Sequence, residues 1–301
     1  MYKFIDLFSG LGGFRIALER KGMECVFASD IDERVNLAYK KNFGDMPSGD
    51  ITEISEKKIP KHDILCASFP CQSFSISGKM KGLNDNRGRL FYEIIRIVQY
   101  HQPYVLLLEN VKNILTVDNG QVIKTIEVKL DEIGYRLYKH VLNSSYFGIP
   151  QSRERVYFVG LRKDTGISSS PPRETRKEIY LEDVLDKEVD DSLFINRTDI
   201  TIERENVEHA LKPIRLGIVN KGGQGERIYS IKGHATTLSA YGGGVGARTG
   251  LYLVDKRVRK LSISECKKIM GFPVTFYVSE GLRGYQQLGN AVIPAMIAKA
   301  V

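Results

Sequence analysis

The chain has 301 residues, of which 42% are hydrophobic and 27% are charged. This length and composition exclude a disulfide-stabilised miniprotein and a disordered or collagen-like chain. Forty-four basic residues against 36 acidic ones leave a net charge of +8, which favours a polyanionic partner such as nucleic acid without requiring one.

Short apolar runs alternate with longer amphipathic ones over residues 1–161. The runs with strand character are Lys3–Phe8, Cys25–Ser29, Ile64–Ala67, Tyr104–Glu109, Arg136–Asn143 and Arg155–Leu161. The segments with helical spacing are Phe14–Lys21, Arg34–Asn42, Arg89–Tyr100 and Gln121–Ile133. This alternation predicts an α/β fold with a doubly wound, mostly parallel sheet.

The composition changes after Arg162. Residues 182–211 hold ten acidic residues against three basic ones, whereas residues 212–260 hold ten basic residues against two acidic ones. The basic segment also has closely spaced glycines at 222–225 and 242–244, where the backbone can approach a ligand. A solvated loop region is the alternative interpretation of the same charge and glycine content.

A last helix is predicted over Ser262–Met270, and the apolar residues near the end of the chain are expected to return to the first domain. The predicted domains are a first domain over residues 1–180 that residues 287–301 complete, a smaller, glycine-rich, mainly β domain over 181–262, and a hinge over 263–286.

The amino-terminal residues and the cysteines bear on compartment and chemistry. The first apolar run contains Asp6 and no signal-peptide cleavage site, and no segment has the roughly eighteen apolar residues of a membrane span. No CxxC pair or nearby histidine cluster accompanies the four cysteines, which are Cys25, Cys66, Cys71 and Cys266. We therefore expect a cytoplasmic protein with no metal site and no disulfide framework, in which at least one thiol is free for other chemistry.

Residues 6–13, Asp-Leu-Phe-Ser-Gly-Leu-Gly-Gly, place three glycines where the first strand hands over to the first helix. Ligands of doubly wound sheets bind outside the carboxyl ends of the strands, where such glycines let them approach the backbone. Asp30 follows Gly10 by twenty residues, at the end of the second strand, and its carboxylate suits a ribose diol. Asp50 is interpreted as a second polar anchor at the end of a third strand. The pattern predicts a nucleoside-bearing cofactor.

The identity of that cofactor depends on one position. Arg15 stands where a GxGxxG motif requires its last glycine, which disfavours a dinucleotide. S-adenosylmethionine fits better, because it offers a ribose to Asp30 and an adenine to apolar walls such as Phe8 and Ile31. A tight turn whose glycines serve packing alone is the alternative.

Three further groups are predicted at the same sheet edge. Cys71 follows the strand Ile64–Ala67, within Ser-Phe-Pro-Cys-Gln, and Glu109 ends the next strand. Arg153 and Arg155 point the same way if their segment is extended. A free thiol is mostly protonated at neutral pH, so a nucleophilic cysteine needs help in losing its proton. The alternatives are a packing cysteine, an exposed glutamate at a strand end and two surface cations.

Five motifs occur in the order found in DNA (cytosine-5) methyltransferases, which the chain resembles over nearly its whole length. They are Asp-Leu-Phe-Ser-Gly-Leu-Gly-Gly at 6–13, Pro-Cys-Gln at 70–72, Glu-Asn-Val at 109–111, Gln-Ser-Arg-Glu-Arg at 151–155 and Gly-Asn-Ala-Val at 289–292. Residues 215–230 and 238–244 further resemble the target-recognition stretch of the HhaI-type bacterial modification enzymes. The resemblance implies a catalytic and cofactor-binding first domain, a target-recognition second domain, and methylation of the first cytosine of GCGC.

The family's chemistry explains these residue types. Cys71 would attack carbon 6 of a cytosine, which makes carbon 5 nucleophilic toward the methyl group of S-adenosylmethionine and leaves S-adenosylhomocysteine. Glu109, kept protonated by burial or by the substrate, would donate to ring nitrogen 3. The resemblance implies that Arg155 holds the cytosine carbonyl oxygen and orients Glu109, and that Arg153 faces a phosphate. Water is the default acceptor of the carbon 5 proton, and the target base must leave the duplex stack.

The binding residues follow from the same patterns and the same resemblance. Cofactor contacts are expected from Phe8, Gly10, Leu11, Gly12, Gly13, Asp30, Ile31, Asp50, Ile51, Pro70 and Asn290. DNA contacts are expected from Ser75, Ser77, Lys79, Arg87, Gln224, Arg227, Thr237, Ser239 and Tyr241. The loop over residues 75–89 would close over DNA while Gln224 enters from the other side. Arg227 suits bidentate donation to guanine O6 and N7.

Three other functions use parts of these features. A nucleotide-linked oxidoreductase would use the glycine turn and Asp30 but would leave Cys71, Glu109 and Arg155 without a shared purpose. A non-catalytic DNA-binding protein would use the basic half alone. An RNA cytosine methyltransferase would share the chemistry, and the separate basic region favours double-stranded DNA. We expect a monomer, with any cognate restriction endonuclease acting separately.

Overall fold

A computed structural model describes residues 1–69 and 89–300. The chain forms two compact units. The first comprises Met1–Leu142, Glu154–Pro172 and Ile297–Val301, and the second comprises Asn143–Arg153 and Arg173–Met296. Residues 143–153 thus belong to the second unit, and the return to the first begins at Ile297. The predicted bounds differ, because they assigned residues 143–153 to the first domain and placed the return to that domain at residue 287.

The first unit is built on a six-stranded sheet with the order β2-β1-β3-β4-β6-β5. Its strands are β1 (Lys3–Leu7), β2 (Glu24–Ser29), β3 (Ile64–Ala67), β4 (Val105–Val111), β5 (Tyr135–Asn143) and β6 (Glu154–Arg162). Strands β1 to β4 pair in parallel, and β6 pairs antiparallel with β4. The predicted α/β fold with a mostly parallel sheet is confirmed, and β6, which runs antiparallel to its neighbour β4, makes the sheet a mixed one.

The helices of this unit begin and end where local chemistry dictates. They are α1 (Gly13–Glu19), α2 (Glu33–Phe43), α3 (Arg89–His101) and α4 (Gln121–Glu132). The Asp32 side chain caps α2 by accepting from the backbone N–H groups of Arg34 and Val35, and Gly44 ends the helix at φ +86°. Helix α4 buries Val122, Ile126 and Leu130, which are spaced by four.

The second unit has a five-stranded sheet with the order β11-β10-β9-β8-β7. Its strands are β7 (Ile200–Ile202), β8 (Arg215–Val219), β9 (Arg227–Ser230), β10 (Leu251–Val254) and β11 (Arg257–Arg259). All neighbouring pairs are antiparallel except the parallel pair β9 and β10. The later helices are α5 (Ile263–Ile269), α6 (Gly281–Asn290) and α7 (Pro294–Ala300). The mainly β character predicted for this region is present.

Each strand and helix predicted above matches an observed element to within two residues at either end. Helix α6 was not predicted, because most of its residues were assigned to a hinge. None of the helices that the structure describes is long and apolar enough to cross a membrane.

Candidate active site

The turn after β1 joins the ends of the two neighbouring strands β1 and β2. The backbone N–H of Gly10 donates to Oδ2 of Asp30 at 2.9 Å, and that of Asp32 donates to Oδ1 at the same distance. Burial raises the pKa of the Asp30 carboxyl, while both backbone donors oppose that rise. Each carboxylate oxygen accepts one backbone N–H here, and a further lone pair on each can accept from a ligand hydroxyl.

The glycines of this turn have two different functions. A Cβ at Gly12 would lie 2.5 Å from the Phe43 ring, so packing requires glycine there. A Cβ at Gly10 would meet nothing within 4 Å, although its φ of +52° favours glycine. Leu11 is 1% exposed and lies in the core. Open space therefore adjoins Gly10, and Leu11 and Gly12 serve packing.

Apolar surface lies beside Asp30, since Ile31 is 72% exposed and Phe8 is half-buried. A ribose next to a carboxylate and an adenine against apolar side chains both fit this set. The interpretation of Asp50 as the end of a strand is wrong. Its carboxylate accepts from the backbone N–H of Thr52 and caps a short 3₁₀ helix over Ile51–Glu53. The prediction failed because aspartate is also a preferred residue at the N-terminal cap of a helix, which is the position that Asp50 occupies.

Glu109 is held at the end of β4 by partners from two neighbouring strands. Glu109 is 5% exposed, and its Oε2 accepts a hydrogen bond from the Ser68 hydroxyl at 2.9 Å. Oε1 lies 3.3 Å from Nε of Arg155, whose side chain is 15% exposed. The register of β4 against β6 pairs Val111 with Arg155, which brings the two charges to one sheet edge. The structure thus places Glu109 and Arg155 together, as the family resemblance implied.

Asn110 holds the backbone just before the predicted nucleophile. Its Nδ2 donates to the carbonyl oxygen of Phe69 at 2.9 Å, and its Oδ1 accepts from the N–H of Val111. Sequence reasoning missed the functions of Ser68 and Asn110, although both lie within the quoted motifs. Cys71 lies outside the residues that the structure describes, and so do five further predicted site residues. They are Pro70, Ser75, Ser77, Lys79 and Arg87.

The three cysteines within the described ranges are poorly suited to act as thiolates. Desolvation raises the pKa of the Cys25 thiol to about 12. Burial raises the pKa of Cys66 and that of Cys266 well above the ordinary value, and both residues are fully buried. Since the thiolate is the reactive form, none of the three is a good nucleophile. In the same ranges, no group of three or more His, Cys, Asp or Glu side chains is arranged to hold a metal.

The expectation that Arg153 faces a phosphate is wrong for this structure. Arg153 is 4% exposed, and its guanidinium donates to the carbonyl oxygens of Leu238, Gly289 and Ala291 at 3.0 to 3.2 Å. A buried cation is tolerated only when its N–H groups are satisfied, and backbone carbonyls satisfy them here. Arg153 thus belongs to the internal scaffold of the second unit. Asn290, which is exposed, stands between two of these carbonyls.

The predicted DNA-contacting residues of the second unit are mostly on its surface. Gln224, Arg227 and Thr237 are exposed, and Tyr241 is 78% exposed. The Ser239 hydroxyl donates to the Tyr241 carbonyl at 2.8 Å. The Thr237 hydroxyl donates to the Ser152 carbonyl at 2.6 Å, so each of these two hydroxyls already has a partner within the unit.

The two glycine-rich segments of this unit pack against each other. A Cβ at Gly225 would lie 2.1 Å from the Gly243 carbonyl oxygen, and the N–H of Gly246 donates to the Gly225 carbonyl at 2.7 Å. Close backbone contact therefore explains Gly225. A Cβ at Gly243 would meet nothing within 4 Å, which leaves that position open to a ligand.

A family model for the C-5 cytosine-specific DNA methylase matches residues 2–301. The chain belongs to this family. Relatives of this methyltransferase include the Type II methyltransferase M.HhaI of Haemophilus parahaemolyticus, 48% identical over 97% of this chain and 90% of the relative. The Type II methyltransferase M.HpaII of Haemophilus parainfluenzae is 37% identical over 99% and 87%.

Solved structures share the fold of this methyltransferase. Entamoeba histolytica EhMeth superposes with a TM-score of 0.77 at 24% identity and covers 99% of this chain and 96% of its own. The Dnmt2 methyltransferase of S. pombe gives 0.73 at 20% identity, with 99% and 97% covered. The family makes the protein a C-5 cytosine DNA methyltransferase, and the oxidoreductase and non-catalytic alternatives are set aside.

Proposed function

We propose that this methyltransferase acts on duplex DNA and methylates carbon 5 of the first cytosine of GCGC through a covalent adduct with Cys71. The observation that carries the proposal is the Glu109 carboxyl, held by Ser68 and Arg155 at the sheet edge where β3 ends. Cys71 follows Phe69, which Asn110 holds, by two residues. The proposed nucleophile thus follows β3 by four residues in the sequence, and the proposed proton donor lies near the end of the neighbouring strand β4.

The first step is nucleophilic addition to the cytosine ring. After the Cys71 thiol gives its proton to water, its sulfur bonds to carbon 6, and the electrons of the 5,6 double bond become available at carbon 5. Charge develops toward nitrogen 3, where Glu109 donates its proton or a hydrogen bond. Arg155 keeps the carboxyl oriented and holds the carbonyl oxygen of the base.

The last step restores the aromatic ring. Once carbon 5 carries the methyl group, water removes the proton from that carbon. The released electron pair re-forms the 5,6 double bond and expels the Cys71 thiolate, while nitrogen 3 returns its proton to Glu109. The expelled thiolate takes up a proton from water, so Cys71 and Glu109 return to their starting forms and one proton is released overall.

The methyl group comes from S-adenosylmethionine, which when bound supplies a methyl carbon activated by a sulfonium. Asp30 would accept from its ribose hydroxyls, and Phe8 and Ile31 would flank its adenine. The support is the paired acceptor geometry of Asp30, the open space at Gly10 and the exposed apolar surface of Ile31. Pro70 and Asn290 are proposed as further contacts because they lie in family motifs.

The second unit is proposed to read the DNA sequence. Its exposed Arg227 offers the planar fork that recognises guanine, and exposed Gln224 and Tyr241 lie on the two glycine-rich segments. Residues 212–260 carry the local excess of positive charge that phosphate contacts require. The target cytosine must be extruded from the stack before Cys71 reaches carbon 6, at a cost of a few kcal/mol.

The relatives named as Type II methyltransferases support a proposal about the biological setting. We propose that the protein serves a restriction-modification system in the cytoplasm as a monomer, with any cognate endonuclease acting separately.

Radiolabelled methyl transfer to matched duplexes tests the reaction and the site together. One duplex carries GCGC and the other carries the same bases scrambled. We expect label only in the first, and a covalent complex when the target cytosine is replaced by 5-fluorocytosine, because fluorine blocks the final elimination. Equal labelling of the two duplexes would overturn the assigned site, and labelling without a trapped complex would overturn the covalent route.

A further inference from the structure

The structure of the second unit contains a link that the family chemistry does not use. Arg153 donates through Nη1 to the Leu238 carbonyl at 3.2 Å and through Nη2 to the carbonyls of Gly289 and Ala291 at 3.0 Å each. One buried guanidinium therefore joins the segment that leads to Ser239 to the turn that carries Asn290.

Gln151 completes the link from two residues earlier. It is fully buried, its Oε1 accepts from the Leu238 N–H at 3.1 Å, and its Nε2 donates to the Ile269 carbonyl at 3.0 Å. Arg153 and Gln151 thus bind both backbone polar groups of Leu238. Since an unsatisfied buried backbone group is costly, Leu238 has little freedom to shift unless both side chains move.

The surrounding backbone makes this contact stiff. The Ser152 N–H donates to the Ala235 carbonyl at 2.8 Å, and the Ala235 N–H donates to the Pro150 carbonyl at 2.9 Å. A Cβ at Gly289 would lie 2.4 Å from the backbone nitrogen of Ala240, so the turn and the segment are in direct contact. Displacement of either one is transmitted to the other.

We propose that Arg153 and Gln151 are positioning residues that couple DNA binding at residues 237–241 to cofactor binding at Asn290. The inference rests on the proposed function, which assigns DNA contacts to Ser239 and Tyr241 and a cofactor contact to Asn290. Coupled sites show reciprocal changes in affinity, here carried by one guanidinium that bonds to both segments. The planar fork of arginine spans the carbonyls, whereas a lysine ammonium is a single point of charge.

The test measures the affinity of S-adenosylhomocysteine with and without a GCGC duplex, for the wild type and for Arg153→Lys. We expect the duplex to change wild-type affinity by a factor within the roughly 5- to 150-fold range of coupled sites. In Arg153→Lys the factor should fall to within about twofold of unity, with both separate affinities within about threefold of wild type, because the directly contacting residues are retained.

Arg259→Lys is the matched control. Arg259 is also buried in this unit, but its guanidinium bonds to Glu265 and to the Lys260 carbonyl. Its variant should lose stability and retain the coupling factor. An Arg153→Lys protein with a full coupling factor, or an Arg259→Lys protein that loses it as well, would overturn the inference.

Gln151→Asn supplies a second route should Arg153→Lys not fold. The shorter amide cannot reach Leu238 and Ile269 together, so the coupling factor should fall at least threefold; an unchanged factor overturns the inference. Failure of the proposed function is seen separately, as a wild type that transfers no methyl group to the GCGC duplex. A wild type that transfers methyl but shows no coupling contradicts only the present inference.

Discussion

The hydroxyl of Ser68 donates to Oε2 of Glu109 across 2.9 Å and links the end of β3 to the end of β4. Arg155 lies 3.3 Å from the other carboxyl oxygen, so both oxygens have partners from neighbouring strands. The protein itself therefore orients the carboxyl group through both oxygens. Preorganised donors and acceptors of this kind cost no rearrangement during the reaction.

Replacing Ser68 by alanine should lower kcat about tenfold and leave the KM for S-adenosylmethionine unchanged. A hydrogen bond contributes about 0.5–1.5 kcal/mol, and a loss of about 1.4 kcal/mol in the transition state corresponds to a tenfold loss in rate. Steady-state kinetics on the GCGC duplex would measure this. Ser55→Ala is the control, because Ser55 caps a separate 3₁₀ helix over Glu56–Lys58. An unchanged kcat in Ser68→Ala would show that the contact does not orient Glu109.

Replacing Cys71 by serine should abolish methyl transfer while S-adenosylhomocysteine still binds, since the proposed cofactor residues around Gly10 and Asp30 are unchanged. Serine is a far weaker nucleophile than a thiolate at neutral pH. Single-turnover transfer and equilibrium binding would be measured on the same preparation. Cys25→Ser is the matched control and should retain turnover, because burial holds the pKa of the Cys25 thiol at about 12. Turnover in the Cys71 variant would exclude the covalent route.

Replacing Asp30 by alanine should raise the KM for S-adenosylmethionine about tenfold or more, with kcat at saturation within about threefold of wild type. The change removes the ribose acceptor and the partner of the Gly10 N–H, but nothing at the reacting carbon. The neighbouring variant Asp32→Ala removes the cap of α2 and should cost about 1 kcal/mol of stability without affecting KM. A loss confined to kcat in the Asp30 variant would assign Asp30 to the chemical step.

The sheet could be predicted from the sequence because β3 and the centre of β4 are buried, and strands buried on both faces have continuous apolar sequences. The family resemblance implied that Arg155 orients Glu109, but strand order alone did not, because Arg155 lies at the start of β6 and reaches the edge where β4 ends only because β6 runs antiparallel to β4. Ser68 and Asn110 were missed because their partners lie 41 residues away, and neither residue type signals a distant contact.

Helix α6 was missed for a different reason. Its sequence contains Gly281, Gly284 and Gly289, and glycine disfavours helix interiors by about 1 kcal/mol relative to alanine. Packing requires glycine at one of these positions, since a Cβ at Gly284 would lie 2.2 Å from the Ser279 carbonyl oxygen and 2.9 Å from Cδ1 of Ile263. The orientation of Arg153 was equally hidden, because it depends on carbonyls 85 to 138 residues away.

Asp6 provides a prediction about stability and pH. It is fully buried in β1, and among residues 1–69 and 89–300 its carboxyl oxygens lack a well-formed hydrogen bond, although the backbone N–H of Arg15 is a weak donor to them. Desolvation, with a contribution from Asp30, raises the pKa of the Asp6 carboxyl well above its ordinary value, and Arg15 only partly opposes this. Because the folded-state pKa exceeds the unfolded one, the associated stability is complete below the unfolded pKa and is lost as pH rises toward the folded one.

Asp6→Asn should therefore flatten the decline in unfolding free energy that accompanies a rise in pH above the ordinary carboxyl range, and the variant should be more stable than the wild type at the upper end of the titration. Chemical denaturation across that rise in pH measures the slope for the wild type and the variant. Asp164→Asn is the opposite-sign control, because a hydrogen bond from Arg162 lowers the pKa of Asp164. That stabilisation is present above the unfolded pKa of Asp164 and lost as pH falls, so its removal weakens the protein at neutral pH only. An Asp6 variant whose stability follows the wild-type slope would mean that Asp6 titrates in the folded state as an ordinary carboxyl group.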